Sequence, residues 1–321
     1  LDRHDEARDL ALAGIETAER HLDLYPEDTR ALYLGAAALA IYGERERGLE
    51  WARLAAKLDP EQEGMLYQLA CIHALAGELE TAVDCLERWE QEGALPMEWL
   101  EHDSKGRVNP CRFFEELRKQ LDDDAILVAD DGNHTFLVAE LMQFNRGGTY
   151  LSPTDFNCMG YCVPATIAAR LASPERQVVG IVGDGAFLMT GLESVTAASN
   201  EIGTAWFVFN DGELAQIAQA QEIPYQRTAC TNIGKLNHEA FAAAVGADYV
   251  DIASDDDIAA GISAALAAAA KNRPVLVNVH IDYSKKTQFT VGTVKTNLKR
   301  FDTRNKMRIV GRALKRKFLG A

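Results

Sequence analysis

The chain has 321 residues, of which 47% are hydrophobic and 25% are charged, an ordinary balance for a globular protein of about two domains. Its formal net charge of −15 argues against general binding to nucleic acid. No apolar run approaches the roughly 20 residues that a membrane helix needs, and six scattered cysteines without a zinc-like spacing indicate reduced thiols in a cytoplasmic protein.

The charge is unevenly spread along the chain. Residues 1–100 contain nine Lys or Arg and twenty-two Asp or Glu, a net charge of −13. Residues 295–321 contain ten Lys or Arg and a single acidic residue, a net charge of +9. We expect a basic C-terminal helical tail over 295–321, which could pack on its own domain, on an acidic surface or on an anionic membrane. Membrane contact is the least favoured of the three.

The first hundred residues repeat with a period of 34. Residues 24–27 (LYPE) recur as 58–61 (LDPE), and Gly43 recurs as Gly77. This period, with Pro at the turns, resembles the tetratricopeptide repeat. The resemblance implies a leading helix over 5–24, repeats over 26–59 and 60–93, and the start of a third over 96–100. It also implies a groove for a protein or peptide ligand, with a purely structural array as the alternative.

The pattern changes near residues 101–110, so we divide the chain into a repeat domain (1–103), an α/β domain (104–294) and the tail (295–321). In the α/β domain, Val/Ile-rich runs alternate with helical segments, which predicts a parallel sheet covered by helices on both faces. The predicted strands are 125–129, 177–182, 204–209, 249–252 and 274–280. The predicted helices are 114–121, 136–143, 164–172, 191–200, 241–247 and 256–270.

The buried strand at 177–182 runs into a glycine-rich turn that contains Gly183, Asp184 and Gly185. Glycines at such a turn let backbone N–H groups approach a phosphate, and the helix that follows favours its negative charge. The Asp184 carboxylate suits Mg²⁺, which takes oxygen ligands and shares phosphate oxygens. This tripeptide alone is weak evidence, because most such sequences are only turns.

The next buried strand ends in a second group of oxygen-bearing residues, Asn210, Asp211 and Glu213. Asp184 and Asp211 are 27 residues apart, an interval that one helix and one strand fill. Both carboxylates therefore reach the same edge of the sheet, where open α/β sheets bind their ligands. Asn210 is the competing choice for the second ligand, but the interval favours Asp211.

This arrangement resembles the signature of thiamine diphosphate enzymes, in which G-D-G is followed, one helix and one strand later, by Asn or Asp. The resemblance spans about residues 107–294 and includes the segments 132–134 and 157–161. Within the family, the chain most resembles acetolactate synthases and related carboligases and decarboxylases. These are enzymes that decarboxylate a 2-keto acid such as pyruvate and join the product to an acceptor.

The resemblance implies a role for each matching position. Asp184, Asp211 and the backbone oxygen of Glu213 would bind Mg²⁺. The backbone of Asn157 would accept a hydrogen bond from the cofactor's aminopyrimidine, and Met159 would hold thiamine diphosphate in its bent shape. The remaining cofactor-binding positions are Gly132, Asn133, His134, Gly183, Gly185 and Ala186.

Several positions leave alternatives open. Met159 could instead be an ordinary core residue, and His134 a turn histidine with its own partners. Acetolactate synthases often carry Met and Trp at the substrate-facing positions that are Gln216, Ile217 and Ala220 here. The substrate is therefore open.

The catalytic glutamate of the family comes from a separate pyrimidine-binding domain, which is not recognisable in this sequence. A partner chain or a second copy could supply it. The α/β domain could instead be a non-catalytic module on a tetratricopeptide interaction scaffold, or the sequence could join pieces that are not naturally contiguous. We expect little or no turnover by the chain alone.

Overall fold

A computed structural model describes residues 4–59, 65–92, 102, 104–154, 156–225, 227–287, 290 and 307. Internal contacts divide the chain into two units, Leu1–Ala94 and Leu95–Ala321. The predicted boundary at 103 stays a prediction, as does the start of a third repeat, since residues 93–101 lie outside the described set. The same holds for the helical tail, of which only Met307 is described.

The described part of the first unit consists of five helices. They are α1 (His4–Leu24), α2 (Thr29–Tyr42), α3 (Arg45–Leu58), α4 (Met65–Ala76) and α5 (Leu79–Glu92). The helical array expected from the sequence is therefore present, while its assignment to the tetratricopeptide family stays a prediction. Gly43 and Gly77, which are one period apart, both have a left-handed backbone after a helix, with φ of 112° and 88°. Glycine adopts this conformation at little cost and ends a helix there.

Small residues let the helices of the first unit approach closely. Ala36, Ala52 and Ala55 are almost fully buried. A Cβ at Gly48 would lie 2.8 Å from the carbonyl oxygen of Ala36, so α2 and α3 meet there at a distance that only glycine permits.

The described part of the second unit is a parallel sheet of six strands in the order β2-β1-β3-β4-β6-β5. The strands are β1 (Ile126–Ala129), β2 (Tyr150–Leu151), β3 (Val178–Gly183), β4 (Ala205–Phe209), β5 (Asp248–Ile252) and β6 (Val275–Val279). The helices around it are α6 (Pro110–Gln120), α7 (Asn133–Leu141), α8 (Cys162–Ala172), α9 (Asp184–Thr190), α10 (Ser194–Ser199), α11 (Ala215–Tyr225), α12 (His238–Val245) and α13 (Ile258–Ala269). The predicted α/β fold is confirmed.

All five predicted strands are found, each within one residue of its expected ends. Two predicted helices begin earlier than expected because asparagines cap them. Asn109 accepts a hydrogen bond from the backbone N–H of Cys111 at the start of α6, and Asn237 accepts one from Ala240 at the start of α12. The expected helix over 191–200 is a 3₁₀ turn followed by the short α10. The short β2 and the helix α11 were not predicted.

Side chains alternate between the two faces of the sheet. On β3, Val179 and Ile181 join one buried cluster, while Val178 and Val182 join the other. The first cluster includes residues of α6, α7 and α13, and the second includes residues of α8, α9 and α12. Burial on both faces explains why the strands are almost continuously apolar.

No helix among the described residues is long and apolar enough to cross a membrane.

Gly180 in the middle of β3 provides a test of this packing. A Cβ there would lie 2.7 Å from Cδ1 of Trp206, 2.8 Å from Sγ of Cys162 and 2.9 Å from Oγ1 of Thr166. We expect Gly180→Ala to lower the free energy of unfolding by about 2–3 kcal/mol in urea denaturation. Gly147→Ala is the control, because a Cβ there meets nothing within 4 Å. Equal stability of the two variants would contradict the described packing.

Candidate cofactor site

The predicted site residues meet at the carboxyl ends of three adjacent strands. The turn after β1 carries Gly132, the turn after β3 carries Asp184, and the turn after β4 carries Asp211. One cleft is lined by predicted residues from all three turns and from the loop before α8. They are Gly132, Asn133, His134, Met159, Gly183, Asp184, Gly185, Ala186, Asp211 and Glu213. Asn157 is the one predicted site residue that does not line it.

Asp184 ties two of these turns together. It is buried, and its Oδ1 accepts a hydrogen bond of 2.8 Å from the backbone N–H of Gly185. Its Oδ2 accepts one of 2.7 Å from the backbone N–H of Gly212, in the turn after β4. Burial raises the pKa of Asp184, and the hydrogen bonds from the backbone oppose that shift. The carboxylate is thus fixed at the meeting point of β3 and β4.

Asp211 shares the cleft with Asp184, and the two charges repel each other. Burial, followed by the negative charge of Asp184, raises the pKa of Asp211 to about 7. Two carboxylates in a partly desolvated cleft favour a cation that neutralises both. Among the described residues, no three His, Cys, Asp or Glu side chains form a metal-binding group. A metal here would therefore rest on two carboxylates and on other oxygens such as a backbone carbonyl.

The neighbours of Asp211 have other partners. The Asn210 side chain donates a hydrogen bond of 2.9 Å to Oδ1 of Asn278 on β6. Asn210 does not line the cleft in which the predicted site residues meet. The Glu213 carboxylate accepts a hydrogen bond from the Thr231 hydroxyl. This side-chain contact is compatible with the metal-binding role predicted for the backbone oxygen of Glu213.

The turn after β1 contributes two buried polar side chains with unmatched atoms. Asn133 and His134 begin α7 and are almost fully buried. Asn133 Oδ1 and His134 Nε2 have no hydrogen-bond partner in the described part of the protein. Burial lowers the pKa of His134 to about 3, so the ring is neutral. With its amide rotated, Asn133 can offer an N–H donor to an anion in the cleft. His134 can do so through Nε2 in the tautomer that carries the single N–H of the neutral ring there.

Glycines make room for the His134 ring. A Cβ at Gly132, whose φ is 154°, would lie 2.6 Å from Cε1 of His134, and one at Gly183 would lie 3.0 Å from the same atom. The ring therefore lies between the ends of β1 and β3. A residue with a side chain at Gly132 or Gly183 would displace the ring. This close approach explains the glycines at both positions.

The loop before α8 brings Met159 to the cleft. Met159 is half-buried, and its Cε would lie 3.7 Å from a Cβ at Gly185. Its side chain therefore faces the turn after β3. Asn157 is exposed and has a left-handed backbone with φ of 54°. Asparagine is among the few residues other than glycine that tolerate this conformation.

Other residues of the cleft were not found from the sequence. Asp131, Leu214 and Tyr283 line it, and the buried Asp130 lies directly behind it. Asp130 had a usable signal, since it is an acidic residue at the end of a buried strand. Tyr283 had none, because it reaches the cleft only through the pairing of β4 with β6. Burial raises the pKa of Tyr283, and the negative charges of Asp211 and Asp184 raise it further.

The class of this unit follows from comparison with known families. Residues 130–279 match the model of the thiamine pyrophosphate enzyme, C-terminal TPP binding domain. This half of the chain is therefore similar to the cofactor-binding domain of thiamine pyrophosphate-dependent enzymes, and the cleft lies where its residues 132–134 and 183–186 converge.

Individual relatives narrow the similarity to acetolactate synthases. The chain is 32% identical over 170 residues to acetolactate synthase isozyme 1 large subunit of Escherichia coli, covering 52% of this chain and 29% of that one. It is 27% identical over 200 residues to an acetolactate synthase of Bacillus subtilis, covering 62% and 34%. The unit is thus acetolactate synthase-like, and the chain spans about a third of the length of these relatives.

A solved structure supports the fold. The thiamine diphosphate-dependent 4-hydroxybenzoylformate decarboxylase of Rhodococcus jostii RHA1 superposes with a TM-score of 0.51 at 25% identity. The match covers 56% of this chain and 33% of that chain.

Proposed function

We propose that the α/β unit binds thiamine diphosphate together with Mg²⁺. Asp184, Asp211 and the backbone oxygen of Glu213 hold the metal, while Asn133 and His134 hold the diphosphate. The observation that carries this proposal is one cleft with two repelling carboxylates on one side and two unmatched buried polar atoms on the other. A metal diphosphate satisfies both needs at once, because the cation neutralises the carboxylates and the phosphate oxygens accept the N–H groups.

The chemistry assigned to the site is decarboxylation of a 2-keto acid such as pyruvate, followed by transfer of the product to an acceptor. When bound, thiamine diphosphate supplies the ring that accepts electrons as carbon dioxide leaves. The protein's own contribution is binding and orientation. Asn133 and His134 line the cleft where the diphosphate would lie, and Met159 faces Gly185 beside it. The 2-keto acid class is taken from the acetolactate synthase similarity, while the particular substrate stays open because Gln216, Ile217 and Ala220 differ from the residues that those enzymes often carry.

We further propose that the activating glutamate comes from a pyrimidine-binding domain on a partner chain. An exposed apolar surface near the cleft supports a partner at this place. Leu188, Met189, Leu192 and Val195 are all exposed, at spacings that put several on one side of α9 and α10. Such a patch on a folded unit is typical of an interaction surface.

The binding proposal is tested by calorimetry on the full chain. We expect thiamine diphosphate to bind in the presence of Mg²⁺ and to lose most of its affinity when EDTA replaces the metal. Thiamine without the diphosphate is the matched control and should not bind measurably. Equal binding with and without Mg²⁺, or no binding at millimolar cofactor, would contradict the proposal.

A second candidate function is a protein-interaction scaffold with a non-catalytic cofactor-type unit. The helical array favours this function, because Ile41 and Leu75 are both exposed aliphatic side chains on helices and lie one period of 34 residues apart. Their repetition suits a surface for a protein or peptide ligand. Turnover of pyruvate after addition of a pyrimidine-domain chain would favour the enzyme. Cofactor binding without turnover in every combination would favour the scaffold.

We also propose a cytoplasmic location, which the six cysteines support because none of them is in a disulfide.

A further inference from the structure

The loop that carries Met159 is held at one residue, Gly160. Gly160 follows Met159 and has a left-handed backbone with φ of 87°. Its backbone N–H donates a hydrogen bond of 2.8 Å to Oδ1 of Asp130. Its carbonyl oxygen accepts one of 2.9 Å from the Thr190 hydroxyl. The peptide groups on both sides of Gly160 are therefore fixed by side chains of two other segments.

Asp130 makes further contacts with the same loop. It is fully buried, and its Oδ2 accepts a hydrogen bond of 2.7 Å from the backbone N–H of Cys162, at the start of α8. Its Oδ1 also accepts one of 2.9 Å from the backbone N–H of Asp131. The hydrogen bonds described for this carboxylate all come from backbone N–H groups, and no ion pair joins it to a described basic side chain.

Such a carboxylate is costly to bury, because desolvation penalises its charge and no cation compensates. Neutral side chains could fill the same space, yet none could accept three N–H groups at once. Thr190 adds to the arrangement, since its Cγ2 would lie 3.0 Å from a Cβ at Gly160. The contacts thus fix both the direction of the Gly160 peptide and the position of the residue before it.

We propose that Asp130 and Thr190 are positioning residues that hold Met159 against the ring portion of the bound cofactor, while contributing little to diphosphate binding. This inference rests on the proposed function, because it assigns the cofactor to the cleft. Different segments of the chain line this one cleft. We assign the turns that carry Asn133 and Asp184 to the diphosphate and the loop that carries Met159 to the ring.

The separation gives a test that distinguishes positioning from general structural support. Thr190→Val keeps the shape of the side chain but removes the hydroxyl donor to Gly160. Asp130→Asn keeps the size but turns one acceptor into a donor that faces a backbone N–H. Each variant is titrated by calorimetry with Mg²⁺–thiamine diphosphate and, separately, with Mg²⁺–pyrophosphate.

We expect both variants to bind Mg²⁺–thiamine diphosphate about tenfold more weakly or worse, and Mg²⁺–pyrophosphate within about twofold of the unmodified chain. The control is Thr196→Val, because the Thr196 hydroxyl donates to the exposed Glu193 and touches no part of the cleft. It should bind both ligands normally. If Asp130→Asn fails to fold, Thr190→Val carries the same prediction.

Two outcomes would overturn the inference. Equal weakening of the binding of both ligands would show general damage to the unit. Normal binding of both ligands would show that the hydrogen bonds to Gly160 do not affect cofactor binding. If the unmodified chain binds neither ligand, the proposed function itself fails. That result is distinct, because it does not depend on any variant.

Discussion

Asp184→Ala is expected to weaken binding of Mg²⁺–thiamine diphosphate by at least about 100-fold. The change removes one of the two side-chain ligands proposed for the metal and also releases the backbone N–H groups of Gly185 and Gly212, which the carboxylate holds in place. Both the metal and the shape of the turns around it are lost. Calorimetry with a fixed excess of Mg²⁺ measures the effect.

Glu193→Ala is the matched control for that experiment. Glu193 is an exposed carboxylate nine residues further along the chain, and it does not line the cleft. Glu193→Ala removes one negative charge, as Asp184→Ala does, and should leave affinity unchanged. Similar losses in both variants would mean that general electrostatics, rather than a ligand at Asp184, supports binding.

Asp211→Asn is expected to stabilise the cofactor-free protein. The folded-state pKa of Asp211 is raised to about 7 from an ordinary value of 3.8, so the fold prefers the neutral carboxyl group. The preference is fully present below the ordinary pKa and is lost as pH rises through about 7. Asparagine is neutral at every pH, and we expect a gain of about 1–3 kcal/mol in the free energy of unfolding at pH 8.

Urea denaturation at two pH values measures this gain. At pH 8 the gain should be present, and at pH 4 it should be almost absent, because Asp211 is then protonated in the folded protein. Asp256→Asn is the control, since Asp256 is exposed on the surface far along the chain from the cleft. A gain that is the same at both pH values would contradict charge repulsion at Asp211 as its cause.

The same substitution separates stability from function. The signature that the chain resembles has Asn or Asp at the second metal position, and an amide oxygen is an acceptable ligand for Mg²⁺. We therefore expect Asp211→Asn to retain binding that Asp184→Ala loses. The native Asp211 carboxylate would then support metal binding while lowering the stability of the cofactor-free protein, as functional residues often do.

The sequence predicted the fold and the centre of the site because both depend on local patterns. Apolar runs identified each major strand, and parallel strands bring Asp184 and Asp211 to one edge regardless of loop detail. The tetratricopeptide assignment also rested on a local pattern, the period of 34 residues. The five helices described in the first unit confirm a helical array, while its assignment to this repeat family stays a prediction.

The remaining features depend on contacts between distant segments. Asp130 acts on Gly160, 30 residues later, through hydrogen bonds that no sequence spacing indicates. Tyr283 reaches the cleft because β6 pairs with β4. Asn157 is the reverse case, a residue that the sequence assigned to the site but whose exposed side chain does not line the cleft. Its backbone role stays a prediction.

The central claim is that Asp184 and Asp211 share a divalent cation with a diphosphate. Its most direct test is a crystal of the full chain grown with thiamine diphosphate and Mn²⁺, examined by anomalous diffraction. We predict one Mn²⁺ peak in contact with both carboxylates, the backbone oxygen of Glu213 and the diphosphate. A peak at Asn210 instead, or diphosphate density away from Asn133, would contradict the account.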